Sequence, residues 1–148
     1  MKTSVVLVLF LGLTAACNSS TDRKNGYSEI PKNKEDSLMQ QVMAGHDAGM
    51  ARMGKISTSI KKLERILDSS GIQINRSAYR QAIADLRQAE TSMNLWMHEF
   101  SLDTLANESE KRAIYLENEI IKVGIVKRQI ASSLQKADSL LQKQDVAH

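Results

Sequence analysis

The sequence predicts an all-α protein, an elongated antiparallel up-down-up three-helix bundle. Three observations carry this. Apolar residues recur at spacings of three and four through three long runs. No run alternates with the period of two that a half-buried strand needs. The Pro and Gly punctuation between the runs is short, which makes neighbouring helices antiparallel.

The first run reads Met39, Met43, His46, Met50, Met53, Ile56, Ile60, Leu63 and Leu67. Asn33, with Asp36 three residues on, supplies an N-cap, and Gly71 after Ser69 and Ser70 a left-handed stop. These bounds predict a helix over about 34–69, roughly 50 Å long at 1.5 Å per residue. The second run takes Tyr79, Ile83, Leu86, Ala89, Met93, Met97 and Phe100, capped by Asn75 or Ser77, and predicts a helix over about 76–101. The third takes Ala113, Leu116, Ile120, Val123, Ile130, Leu134, Ala137 and Leu141, broken only where Val126 and Lys127 share a turn. It predicts a helix over about 108–143. The bundle thus occupies 34–144, one small domain, with a short tail at 145–148.

The N-terminal residues MKTSVVLVLFLGLTAAC have a lysine, an unbroken apolar run from Val5 to Leu13, and small residues leading to Cys17. A membrane span needs roughly 20 apolar residues and a signal h-region only about 7 to 15, so 1–16 reads as an export signal to be cleaved. The cut site Leu13-Thr14-Ala15-Ala16-Cys17 resembles the lipobox of bacterial lipoproteins, departing from it at Thr14. The resemblance implies that Cys17 becomes the acylated N-terminus, carrying palmitate-like chains. Cysteine usage points the same way: an exported chain with one cysteine cannot form an internal disulfide, and thioether lipidation removes an oxidisable thiol. Residues 17–33, rich in Asn, Ser, Thr and Lys and holding Pro31, read as a flexible tether. Asn18 follows the cysteine and no acidic run comes after it, so the expected location is the cell envelope, at the outer membrane and facing the periplasm.

A formal charge of +3 does not point to nucleic acid. Removing the signal takes Lys2 away, and the remaining basic residues alternate with acids, as in Lys61-Lys62-Leu63-Glu64-Arg65, which is how a solvated helix face looks. No basic strip carries stacking aromatics.

His46-Asp47-x-x-Met50-x-x-Met53-Gly54, then Trp96-Met97-x-x-Phe100, then Ser133-x-x-x-Ala137 within apolar heptads, resemble a family of small Gram-negative lipoproteins of unknown function. Some of its members carry the label "viral A-type inclusion protein". Ala48-Gly49 departs from the bulkier or acidic residues more usual after His-Asp. The resemblance implies no activity.

The stretch MAGHDAGMARMG, 43–54, concentrates sulfur and imidazole. Folding about the turns near 71–75 and 102–107 brings Met50 and Met53 level with Met93 and Met97, gathering them with His46, Trp96 and Tyr115 at the end of the bundle where the tether joins. Thioethers and imidazole suit Cu(I), and a Met/His pair can ligate haem iron axially. Against this, the methionines continue the stripe that becomes Ile56 and Leu63 without a change of phase, and methionine is an ordinary gap-filling core residue. The favoured expectation is therefore a structural histidine, bonded to a carboxylate or carbonyl of a neighbouring helix with Asp47 in solvent, and no cofactor or metal. Soft-metal (copper) or b-type haem binding is the alternative. Trp96 is expected at the core edge with its indole N–H near water. His98 falls beside the stripe and His148 is terminal; no Glu-x-x-His, no zinc-hydrolase signature and no Gly-rich phosphate loop occurs, so no enzyme is expected. The expected role is structural or protein-binding. Its partners would be the bilayer through Cys17, an envelope protein seated at Ile125, Tyr115 or Trp96, or a second copy whose helix completes the core, which the three-four spacing of every helix allows.

Overall fold

A computed structural model describes residues 31–69 and 74–145. The proposed signal, Cys17, most of the tether, Gly71 and His148 lie outside them. Among the described residues four helical segments make three arms, α1 (Lys34–Met50) and α2 (Met53–Asp68) forming the first, α3 (Arg76–Glu99) the second and α4 (Ser109–Asp145) the third. The described residues contain no strand, and the three-helix bundle is the fold. Asn33 caps α1 as expected, its Oδ1 accepting from Asp36 N at 2.8 Å while the Asp36 carboxylate accepts from Lys32 N. Asn75 caps α3 through Ala78 N.

The first arm departs from the sequence reading in two linked ways. Its buried stripe is Leu38, Val42, Gly45, Gly49, Ile56, Ser59 and Leu63, whereas Met39, Met43, His46 and Met53 line the flank, half-buried, and Met50 is exposed. Continued at the same three-four spacing, this stripe assigns Arg52 to the core. The helix tightens there instead: Arg52 N bonds to Gly49 O, three residues back, Arg52 stays exposed, and regular α-helix resumes at Met53. Burying an unpaired guanidinium is far costlier than losing one turn of regular helix, so the arm breaks into α1 and α2.

The glycines in the stripe set the spacing of the bundle. A Cβ on Gly45 would stand 2.7 Å from Val123 Cγ1, and one on Gly49 would stand 2.1 Å from Met93 Cε. Thus α1 lies closer to α4 than any side chain would allow, and the tip of Met93 fills the hollow at Gly49. Below the break, α2 presents Ile56 and Leu63, both fully buried, where α1 presents glycine. In α4 the core is Ala113, Leu116, Val123, Val126, Ile130, Leu134 and Ala137.

Ion pairs join each arm to its neighbours: Lys34–Glu117 at 2.9 Å, Lys55–Asp138 at 2.8 Å, Arg87–Glu64 at 2.6 Å and Lys136–Asp85 at 2.7 Å. Surface pairs of this kind contribute at most about 1 kcal/mol each, so they fix register more than stability. The Lys136 bond, with a second from Gln81, holds the Asp85 carboxyl below its ordinary range. Tyr79 OH donates to Leu140 O at 3.1 Å, pinning α3 to α4. Across the bundle, Arg112 donates to Leu102 O and Thr104 O at 2.8 Å each and pairs with Glu35 of α1 at 3.4 Å. That knot holds the 102–107 turn, in which Leu105 takes a left-handed φ of 57°.

Two alanine substitutions separate packing from propensity. Gly45→Ala should destabilise by about 1–3 kcal/mol, because β-branched Val123 cannot give way. Gly124→Ala, whose Cβ would meet only Arg128 at 3.6 Å, should stabilise by about 1 kcal/mol through helix propensity. Chemical denaturation of the two variants checks the opposite signs.

Candidate functional site

α1, α3 and α4 bring His46, Trp96, Met97 and Glu119 together. His46 projects from the flank of α1 because Gly45, the preceding residue, takes the core position. Its ring lies 5.9 Å from the Trp96 ring, tilted by 37°. Nδ1 is 2.9 Å from Asp47 Oδ1, and Nε2 is 3.3 Å from Met97 Sδ. The carboxylate on the imidazole therefore comes from the next residue in the chain and not from another helix, because Asp47 folds back onto the ring while remaining largely exposed.

A carboxylate can only accept, so Nδ1 is the N–H that donates to Asp47. Nε2 then faces the Met97 sulfur in one of two states. Protonated, it donates to sulfur; unprotonated, it presents a lone pair beside the thioether lone pairs. The second state leaves a position suited to a soft cation. An ion about 2.0 Å from nitrogen and about 2.3 Å from sulfur would span the observed 3.3 Å at a bent, near-tetrahedral angle. Axial haem ligands stand on opposite sides of the iron and must be farther apart than this, so the pair fits a soft ion and not haem. Of the sulfurs expected to gather, Met97 meets the ring, Met93 is fully buried in the Gly49 hollow, and Met50 points to solvent. Among the described residues no group of three or more His, Cys, Asp or Glu is placed to hold a metal ion. His98 is exposed in the last turn of α3.

Trp96 is 5 % exposed, and its indole N–H does not meet water. It donates at 2.9 Å to Glu119 Oε2, a carboxylate only 3 % exposed at a core position of α4. The other oxygen of Glu119 accepts from Lys122 Nζ at 2.7 Å, with the ammonium reaching outward to solvent. Desolvating a carboxylate is costly unless both oxygens are bonded, and here they are. The Glu119 hydrogen bond, and then its charge, hold the Lys122 ammonium above the ordinary lysine value of 10.5.

Sequence reading missed Glu119 because it followed Leu116 to Ile120 and then Val123. Spacing allows 119 and 120 equally: Ile120 packs against the core half-buried, and Glu119 takes the buried position. From Trp96 the rings continue outward, Phe100 stacking at 5.1 Å and Tyr115 on Phe100 at 6.2 Å. Tyr115 OH accepts from Ser101 N at 3.0 Å and closes the end of α3.

Trp96→Phe keeps the ring and removes the donor, and should cost about 1–3 kcal/mol by leaving a buried carboxylate oxygen unpartnered. Lysine raised in the folded state adds stability that is complete below its unfolded value, 10.5, and lost as pH rises through the higher folded value. Unfolding measured between pH 8 and about 12 should show that alkaline loss in the parent and a smaller one in Lys122→Met.

No protein-family model, curated protein or solved structure matches this chain.

Proposed function

We propose that the chain is a lipid-anchored protein of the cell envelope whose helical bundle has a structural or protein-interaction role and no catalytic one. One observation carries the reading: an apolar run of signal length ends in small residues directly before the chain's single cysteine, Cys17. Among the described residues no helix is long and apolar enough to cross a membrane. In this reading the acyl chains on Cys17 make the attachment, each buried methylene adding about 0.8 kcal/mol, and residues 17–33 carry the bundle clear of the bilayer. Asn18, with no acidic run behind it, supports the periplasmic face of the outer membrane. Cys17→Ser should move the protein from the membrane to the soluble fraction and abolish labelling by a fatty-acid precursor. Membrane retention of that variant would overturn the anchor.

The 3.3 Å approach of His46 Nε2 to Met97 Sδ favours a second reading, capture of Cu(I) at the His46–Met97 edge. Asp47 would orient the imidazole, as carboxylates do behind metal-bound histidines. Trp96, the only tryptophan, sits beside the ring and reports on it. Titration with Ag(I), a redox-inert stand-in, should quench its fluorescence at one ion per chain, and His46→Ala should abolish the quenching. Unchanged fluorescence at several equivalents would remove this reading.

A further inference from the structure

We propose that the exposed face of α4 is a seam for a second copy of this chain, lying parallel to the first. Besides its core stripe, α4 carries Ile114, Asn118, Ile121 and Ile125 at spacings of four, three and four on its outer side. The three isoleucines are 60 %, 61 % and 52 % exposed, and Asn118 is exposed between them. This is a second heptad seam on the same helix, with Asn118 and Ile125 at a positions and Ile114 and Ile121 at d. It lies between the two arms: Glu117 on one flank pairs with Lys34 of α1, and Lys122 on the other reaches toward α3 through Glu119 and Trp96.

The occupant follows from the seam's own residues. In a parallel pair every seam residue meets its own copy, so each isoleucine packs on isoleucine and the Asn118 amides hydrogen-bond to one another. An a-position asparagine selects this pairing because its amide is left unpartnered in any other. The flanks agree. In parallel coiled coils a g residue faces the e residue five positions on in its partner, which sets Glu117 (49 % exposed side chain) against Lys122 (57 %) twice across the two-fold axis. In an antiparallel pair Asn118 would face isoleucine, and Glu117 and Lys122 would lie on flanks that do not meet.

Lys111 and Arg128 end the seam on either side, leaving about 17 Å of apolar contact. Three isoleucines per copy bury less than the roughly 800 Å² per partner of a stable complex. The pair should therefore be dilute-monomeric and form where copies are concentrated, as on a surface. The seam rests on the anchored reading only for that concentration. The anchor also places all α1 N-termini on one side, as a parallel pair requires.

The test uses the full chain purified in its membrane and reconstituted in phosphatidylethanolamine–phosphatidylglycerol vesicles, with single-cysteine variants under mild oxidant. Ile114→Cys, Asn118→Cys and Ile125→Cys should each give a disulfide-linked dimer about tenfold or more above Gln88→Cys on the exposed side of α3. Adding Glu117→Lys to Asn118→Cys should lower that yield several-fold at unchanged helicity. Yields no higher than the Gln88→Cys control overturn the seam. Dimers formed only on mixing Ile114→Cys with Ile125→Cys overturn the parallel order. The parent chain is oxidised alongside: a dimer linked through Cys17 reveals an unblocked thiol and so a failed anchor. In that case the same variants in a Cys17→Ser background, at millimolar concentration in solution, read the seam by the same pattern.

Discussion

The approach of α1 to α4 across Gly45 and Val123 is the contact from which the rest of the upper bundle follows. Two helices bearing ordinary side chains settle at 8–10 Å between axes, and removing the Cβ on one side draws them to the near end of that range. The closeness has consequences on both sides of Gly45. It forces the large residues of α1 off the contact line and onto its flanks, so that His46 turns toward α3 and meets Trp96 and Met97. It also lets α3 push Met93 into the space left at Gly49. The break at Arg52 then relieves the difference between a glycine-spaced contact above and an isoleucine-spaced contact below.

Glu119 completes this arrangement from the α4 side. A core position filled by a carboxylate is stable only with fixed donors, and the two it has come from different places: Trp96 from the next arm and Lys122 from its own helix. An apolar residue would fill the same volume at less desolvation cost, but it would accept any rotation of α3 that kept Trp96 buried. The carboxylate accepts one. Indole, Phe100 and Tyr115 are thereby aligned into a stack that ends at the Ser101 backbone, so a buried acid in the N-terminal part of α4 sets how α3 terminates.

Fold class, the number of arms and the caps at Asn33 and Asn75 were legible in the sequence, because they depend on periodicity and local hydrogen bonding. The phase of the first arm was not. Counting apolar bulk selects Met39, Met43, His46 and Met50, since glycine carries no weight in such a count; yet a bundle face made by absence of side chain is as much a contact surface as one made of leucine. Glu119 was hidden for the complementary reason, a charge where bulk was expected. Both errors fall at the one place where the packing departs from side chain against side chain. The expectation that sulfur would gather around His46 failed with the phase, since a stripe displaced by one residue carries Met50 out to solvent and leaves Met97 as the sulfur that reaches the ring.

The knot around Arg112 gives the bundle a direction in which it is strong. Glu35, in the first turn of α1, accepts from Ser109 and pairs with Arg112, which in turn holds the carbonyls of Leu102 and Thr104; one residue earlier, Lys34 pairs with Glu117. A pull arriving through the chain before Lys34 is handed to α4 and the α3–α4 turn within a single turn of helix. Such a load has to shear several charge-assisted bonds together, whereas at the opposite end, among the described residues, Tyr79 bonds to Leu140 and Arg76 to Leu67. The structure is reinforced at the end where the chain enters α1.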